Sequence, residues 1–235
     1  MTVPFYVAPE QLVKDRAEYA RKGIARGRSI VAMEVREGVL LLAENPSRTL
    51  TKISEIYDRI AFAGVGKYNE FESLRVAGIR YADIKGYQYG RRDVTAKSLA
   101  SAFSQTLGNI FVQGPKPFEV EVLVAEVGPT INEDRLFKVT YDGTLYDKRG
   151  YTAIGGQADE LSEQLGERYQ ETPALDEALD MAAQAFRQVE ERAISGWEAA
   201  LLEREGPPRR FRRLSSDHLE SIADGEEPSE NGAGK

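Results

Sequence analysis

Strand-like and helix-like segments come in blocks along this chain instead of alternating one by one. Their order is a helix, four strands, two helices, strands, two helices, strands and a closing helix. This order favours the α+β class, with two sheets packed face to face and helices outside, as a four-layer sandwich. Other α+β folds share the same order. A length of 235 residues suits one core, so we predict a single domain over residues 9–223.

The segments on either side of Glu37 and Gly38 predict a β-hairpin. SIVAMEV precedes this turn signal and VLLLA follows it, and both are short runs rich in β-forming residues. Two further strands fit KISEIYDRIAFAGVG, with their turn near residues 57–59. We therefore predict that the domain opens with a meander of four strands. A later strand block carries a second hairpin signal at Asp142 and Gly143.

Apolar residues that recur every three or four positions predict helices around these strands. One helix covers residues 9–25, and another covers residues 68–86. Asp93 is the predicted N-cap of a third helix. Thr172, followed by proline, is the predicted N-cap of a long helix that runs to about residue 192.

Composition excludes several classes of function. The chain has 31 basic and 38 acidic residues, a net charge of −7, which argues against general affinity for nucleic acid. It has no cysteine and one histidine, so we expect no thiol nucleophile, no metal and no cofactor. No stretch approaches the ~18 apolar residues of a membrane span, and the N-terminus lacks a secretory pattern. We therefore expect a cytoplasmic protein that does not bind membranes.

One basic cluster and one glycine-rich string could carry a ligand. The cluster surrounds Phe211 and consists of Arg209, Arg210, Arg212 and Arg213. It has two open interpretations, a solvated or salt-bridged strand edge and a phosphate or RNA patch. The string GVGKYNEFE is not a phosphate loop, because Tyr68 follows Lys67 where the Walker pattern needs Ser or Thr.

Four segments carry a resemblance to a known family. They are RGRSIVAMEVREGVLLLAENPSRTLTKISEIYDRIAFAGVGKYNEFE, QGPKPFEVEVLVAEVG, TYDGTLYD and PRRFRRLSSDHLE. Together they resemble the proteasome α subunits of actinobacteria, from about residue 5 to residue 222. The resemblance implies the N-terminal-nucleophile hydrolase fold, an αββα sandwich with an extra N-terminal helix.

The resemblance also implies a role in proteolysis without catalysis. Subunits of this type form the outer heptameric rings of the 20S core, an α7β7β7α7 barrel, and contact neighbouring α subunits and β subunits. The β subunits hydrolyse peptide bonds with an N-terminal threonine. A hexameric AAA ATPase activator passes tagged, unfolded proteins through the α ring. Neither nucleic acid nor membrane is implied as a partner.

Three positions connect this sequence to the chemistry of β subunits. The catalytic threonine falls at about Arg28, behind a helix, and its aspartate partner falls at Glu44. Lys52, in TLTKIS, aligns with the catalytic lysine. In α subunits the resemblance implies that this lysine lines a pocket between neighbouring subunits and receives the C-terminal carboxylate of an activator tail. The sequence thus implies no catalytic residue and an activator-binding role for Lys52.

The resemblance further implies a gate, a ring contact and a channel loop. Residues 1–8 would converge on the ring axis as the gate, through Thr2, Val3, Pro4, Phe5 and Tyr6. The helix over residues 9–25 would pack on its neighbour through the narrow stripe Val13, Ala17, Ala20 and Ile24. The loop that follows Gln113 would lie near the channel constriction, through Pro115, Lys116 and Phe118. Composition predicts an acidic, disordered tail over residues 224–235.

Two rival functions remain open. The first is a catalytic N-terminal-nucleophile hydrolase that matures by cleavage near Gly27 and exposes Arg28 or Ser29. The missing aspartate and the preceding helix argue against it. The second is a ring-forming binding module unrelated to proteolysis, which only the absence of catalytic motifs supports.

Overall fold

A computed structural model describes residues 8–47, 49–170, 172–190, 192–215 and 219. The helices of this part are α1 (Pro9–Ile24), α2 (Tyr68–Gln88), α3 (Ala96–Gln113), α4 (Ala158–Gly166) and α5 (Leu175–Val189). The strands are β1 (Ile30–Val35), β2 (Gly38–Glu44), β3 (Ile53–Tyr57), β4 (Ile60–Gly66), β5 (Val120–Glu126), β6 (Arg135–Val139), β7 (Leu145–Lys148), β8 (Tyr151–Ile154), β9 (Trp197–Glu203) and β10 (Phe211–Arg213). None of the described helices is long and apolar enough to cross a membrane.

The strands form two five-stranded antiparallel sheets. The first has the order β10-β9-β2-β1-β8, and the second has the order β3-β4-β5-β6-β7. Both predicted hairpins are confirmed, β1–β2 at Gly38 and β6–β7 at Gly143. Gly38 has a φ of +151°, and an added Cβ would lie 1.8 Å from the carbonyl oxygen of Leu202, so only glycine fits this turn.

The predicted four-strand meander is wrong, because its two hairpins belong to different sheets. The chain passes from the first sheet to the second between Glu44 and Ile53. Asn45 shapes this crossing, since its side chain donates to the carbonyl of Leu50 at 2.7 Å and accepts from the amide of Ser47 at 3.0 Å. Local alternation predicts strands, and it does not reveal which strands pair.

Three apolar layers separate the two helix layers and the two sheets, which confirms the four-layer sandwich. Alternate residues of β1 and β2 face the second sheet. The residues between them face the helices α4 and α5. α2 and α3 cover the second sheet. The inter-sheet layer includes Ile30, Ala32, Leu41, Ala63, Leu123 and Ala125. Burial on both faces explains why β1 and β2 read as continuous apolar runs.

Two predicted N-caps are wrong. Thr95, and not Asp93, caps α3 by accepting a hydrogen bond from the amide of Ser98 at 3.3 Å. Asp93 lies in a short 3-10 helix instead. Thr172 has a left-handed φ of 52° and lies outside α5, whose first residue is Leu175. Ala174, the residue before α5, has no side-chain oxygen that could cap the helix. The carboxylate of Glu37 provides this cap instead, since it accepts from the amide of Leu175 at 2.9 Å.

Glu34 is a buried charge on the inter-sheet face of β1. In the described part of the chain its Oε1 has no hydrogen-bond partner, and the nearest cation is Arg149 at 3.7 Å. Burial raises the pKa of Glu34, and the charge of Asp134 raises it further. The folded chain therefore pays a desolvation penalty whenever this carboxyl is ionised.

Glu34→Gln should increase the free energy of unfolding at pH 8 by about 1 kcal/mol, because it removes the charge and keeps the shape. A raised pKa lowers wild-type stability above the folded pKa, and the deficit closes as the pH falls toward the ordinary value of 4.5. Urea unfolding of both proteins at pH 8 and pH 5 measures this difference. A variant that is less stable than wild type at pH 8 would contradict the prediction.

Candidate functional site at the start of β1

Lys52 lies immediately before β3, at the crossing between the sheets. Its ammonium donates a hydrogen bond to the backbone carbonyl of Arg28 at 2.7 Å. A carboxylate from β9 fixes the backbone here, because Glu198 accepts from the amide of Lys52 at 2.9 Å and from the amide of Ile53 at 3.1 Å. The side chain of Lys52 therefore points at the residues that precede β1.

The ammonium of Lys52 is easier to deprotonate than an ordinary lysine. Burial lowers its pKa to about 8, and the positive charge of Arg28 acts in the same direction. Glu198 and Glu44 oppose this shift. Lys52 thus remains mostly charged at pH 7 and becomes mostly neutral above pH 8.

Glu44, the last residue of β2, is fully buried and surrounded by donors. Arg192 binds its two oxygens at 2.6 and 2.7 Å, Arg28 forms a second ion pair with Oε1, and Ser195 donates through its amide and hydroxyl. Burial alone would raise the pKa of Glu44, but the hydrogen bond from Arg192 and the other donors outweigh it and lower the pKa to about 2. A carboxylate held in this way is a structural anion and a very weak base.

The hydroxyl nearest to this site in the sequence belongs to Ser29, which is buried at the start of β1. Its Oγ accepts a hydrogen bond from the amide of Gln157 at 3.2 Å, next to the N-terminus of α4. Lys52 and Glu44 make their contacts with Arg28 instead. Among the described contacts, the hydroxyl of Ser29 therefore meets neither Lys52 nor Glu44. The hydroxyl that does bind Glu44 is that of Ser195, which donates to the carboxylate and accepts from Arg28 at 2.6 Å.

Helix α1 covers the approach to β1 and is tied to α3. Ala20 and Ile24 are buried against Phe111 and Tyr141. The guanidinium of Arg16 donates to three carbonyls at the end of α3, those of Ile110, Phe111 and Gly114, at 2.7 to 3.1 Å. The carbonyl of Ile110 also accepts from the amide of Gly114 at 2.9 Å, whereas the carbonyls of Phe111 and Gly114 lie beyond the last helical donor, so Arg16 acts as a C-cap supplied by another element. Sequence reasoning missed this role, because a cap from a distant helix leaves no local signal.

The predicted interface stripe of α1 is divided in two. Ala20 and Ile24 pack inside the chain, whereas Val13 is 54% exposed and its neighbour Leu12 is 51% exposed. The expectation that the whole stripe serves a neighbouring subunit is therefore wrong for its C-terminal half. Within this stripe, only its N-terminal end at Val13 is free to meet a partner.

The loop after Gln113 is held against α1 and the start of α2. Lys116 forms an ion pair with Glu70, and its ammonium lies 5.9 Å from the ring centre of Phe118 and 6.0 Å from that of Tyr19. Glu70 also accepts from the amide of Glu119 at 2.7 Å. Pro115 is exposed at the tip. None of these described contacts reaches Lys52, so the two predicted sites are separate.

The predicted gate residues Thr2, Val3, Pro4, Phe5 and Tyr6 lie outside the described residues, as do His218 and the tail over residues 224–235. α1 begins at Pro9, directly after Ala8.

Three arginines of the basic cluster near Phe211 pair with carboxylates. Arg209 contacts Glu55 at 2.6 Å, Arg212 contacts Glu203 at 2.5 Å, and Arg213 contacts Glu198 at 2.9 Å. These contacts match the interpretation as a salt-bridged strand edge. Arg213 also reinforces the candidate site, since Glu198 is the carboxylate that holds the backbone of Lys52.

Comparison with known proteins points to one family. A family model described as a proteasome subunit matches residues 24–203. A protein named proteasome subunit alpha from Thermomonospora curvata is 53% identical over 228 residues, which cover 94% of this chain and 98% of that protein. Proteins of the same name from Xylanimonas cellulosilytica and Frankia alni are 54% and 51% identical; these matches cover 91% and 94% of this chain and 93% and 97% of those proteins.

Proposed function

This chain belongs to the proteasome subunit family, and on that basis we propose that it is the non-catalytic α-type subunit of a 20S proteolytic core. In this role it forms the outer heptameric rings of an α7β7β7α7 barrel together with β subunits, which carry out the threonine-type hydrolysis. The relatives support the role by their shared name, proteasome subunit alpha. Their similarity extends over nearly the whole chain.

The observation that carries the non-catalytic part of the proposal is the setting of Glu44. The resemblance places Arg28 and Glu44 where β subunits have a threonine and an aspartate. Here the two side chains form an ion pair, and Arg192 forms a second ion pair with the same carboxylate. Arg28 stands at the position of the threonine, and the hydroxyl that binds Glu44, that of Ser195, comes from the α5–β9 connection and donates its proton to the carboxylate. Cleavage near Gly27 would also detach α1, which α3 holds through Arg16, so the hydrolase alternative is not favoured.

We assign Lys52 to the docking of an activator tail. One of its N–H groups is used by the carbonyl of Arg28, which leaves two for a ligand. A terminal carboxylate is a suitable partner, because a partly desolvated ammonium forms a strong charge-assisted hydrogen bond with it. The hexameric AAA ATPase that the resemblance implies would supply such a tail and deliver tagged, unfolded proteins.

Exposed apolar side chains support assembly with other subunits. Tyr87 at the end of α2 is 94% exposed, and Ile84 and Tyr89 are also largely exposed. Together with Leu12 on α1 they give two apolar surfaces on different helices. A ring subunit needs at least two kinds of contact, one with its neighbours in the ring and one with the adjoining ring. We place the assembly in the cytoplasm, consistent with the absence of cysteine.

Residues 1–8 form the gate in this proposal. We expect that deletion of residues 2–8 raises the hydrolysis of a short fluorogenic peptide several-fold, because the entrance no longer closes. The experiment co-expresses the chain with the β subunit of the same source and measures peptidase activity and electron-microscopic class averages on one sample. A matched control removes the seven residues 229–235, and it should leave activity unchanged.

The possible results separate the parts of the proposal. Stacked rings with raised activity would support both the ring and the gate. Stacked rings with unchanged activity would contradict the gate alone. Particles without stacked rings would overturn the proteasome role and favour a binding module unrelated to proteolysis.

A further inference from the structure

A cleft of about 780 Å³ lies where the β3–β4 turn, the loop after β5 and the β9–β10 connection meet. We call it the arginine cleft, because its charged lining consists of Asp58, Arg59, Arg92, Arg204 and Arg210. Prolines and glycines make up most of the remaining lining. Four guanidinium groups converge here on a protein whose net charge is −7.

Two of the four arginines are already neutralised. Arg59 pairs with Glu126 at 2.7 Å, and Arg204 pairs with Asp134 at 2.7 Å. Asp58, the acid that lines the cleft, is paired in turn with Arg91. These three ion pairs fix the wall of the cleft. They add no net charge to it, because each joins one basic and one acidic side chain.

Arg92 and Arg210 provide the uncompensated charge. Within the described residues neither guanidinium contacts a carboxylate, and that of Arg210 donates only to the carbonyl of Gly206 at 2.8 Å. The backbone of both residues is held at the β3–β4 turn. The carbonyl of Arg92 accepts from the guanidinium of Arg59 at 3.1 Å, and the amide of Arg210 donates to the backbone carbonyl of Asp58 at 2.7 Å. The cleft therefore presents two positive charges on a fixed frame.

We propose that the arginine cleft binds a small anion with two or more phosphate groups. Guanidinium groups bind phosphate oxygens in a bidentate manner, and two uncompensated charges match a ligand of multiple negative charge. A small ligand is favoured over a nucleic acid, because the neighbouring Arg209, Arg212 and Arg213 are engaged by carboxylates and cannot extend the positive surface. The proposal does not depend on Lys52 or on the role of the chain in a proteolytic core.

Calorimetric titration of the full-length chain with inorganic triphosphate, at constant ionic strength, tests this site. We expect saturable binding of one triphosphate per chain, weakened about tenfold or more in the double variant Arg92→Gln/Arg210→Gln. The control Lys14→Gln/Arg26→Gln removes the same charge from exposed positions outside the cleft and should bind like wild type. Circular dichroism should show equal thermal midpoints, since neither cleft arginine is buried.

Two further ligands distinguish the sources of the anion. Adenosine triphosphate that binds with the same dependence on Arg92 and Arg210 would support a site for phosphate groups. Binding of hexaglutamate but of neither phosphate compound would overturn the phosphate assignment. Absence of saturable binding, or equal losses in the cleft and control variants, would overturn the site.

Discussion

Lys52→Ala is expected to weaken the binding of an activator tail by about 10- to 100-fold, because it removes a charge-assisted hydrogen bond from a partly desolvated pocket. Proteolysis that depends on the ATPase should fall accordingly, whereas peptide hydrolysis by a gate-deleted core should remain unchanged. Fluorescence polarisation with a labelled peptide of the activator's C-terminus measures the affinity. Lys97→Ala, at an exposed position on α3, is the matched control.

The pH dependence of the same affinity follows from the pKa of Lys52, which is about 8. Only the ammonium form binds a carboxylate well. The Kd should therefore be constant below about pH 7 and rise by up to about tenfold for each pH unit above 8. The charges that face Lys52 are Arg28, Glu44 and Glu198; the pKa of Glu44 is about 2, and arginine keeps its charge throughout this range. A Kd that is equal at pH 7 and pH 9.5 would contradict the role of Lys52.

The local features of the fold could be predicted from the sequence, and the long-range ones could not. The turn at Gly38 and the helix after Pro9 follow from residues within one segment. The pairing of Glu44 with Arg192, 148 positions away, follows from how two distant segments meet. The crossing at Asn45 is also a long-range feature, because it determines which sheet each hairpin joins. Periodicity describes the face of an element and does not identify what covers that face.

The candidate site shows the same division. Family resemblance placed Lys52, Arg28 and Glu44 at related positions, and the structure brings these three residues together. The resemblance could not indicate that Glu198 holds the backbone of Lys52, because one carboxylate among 38 acidic residues gives no distinguishing pattern. The neutralisation of Glu44 likewise depends on a side chain from the α5–β9 connection, a segment without a motif.

The largest loss of stability is expected from Asp134→Asn, at about 3–5 kcal/mol, because it leaves a buried guanidinium without its counter-ion. Asp134 is fully buried, and both of its oxygens accept from Arg204, at 2.8 and 2.7 Å. The side chain of Arg204 is only 11% exposed, so water from the adjoining arginine cleft replaces the lost partner only in part. Urea unfolding at pH 7 measures the change.

Two comparisons decide whether this loss arises from the buried charge. Asp58→Asn removes the acid from the exposed pair with Arg91 and should cost about 1 kcal/mol or less. The double variant Asp134→Leu/Arg204→Met replaces both charges with apolar groups and should recover part of the stability that Asp134→Asn loses, since no uncompensated charge remains. If Asp134→Asn costs no more than Asp58→Asn, then solvent reaches Arg204 and the pair is not the electrostatic anchor that its burial indicates.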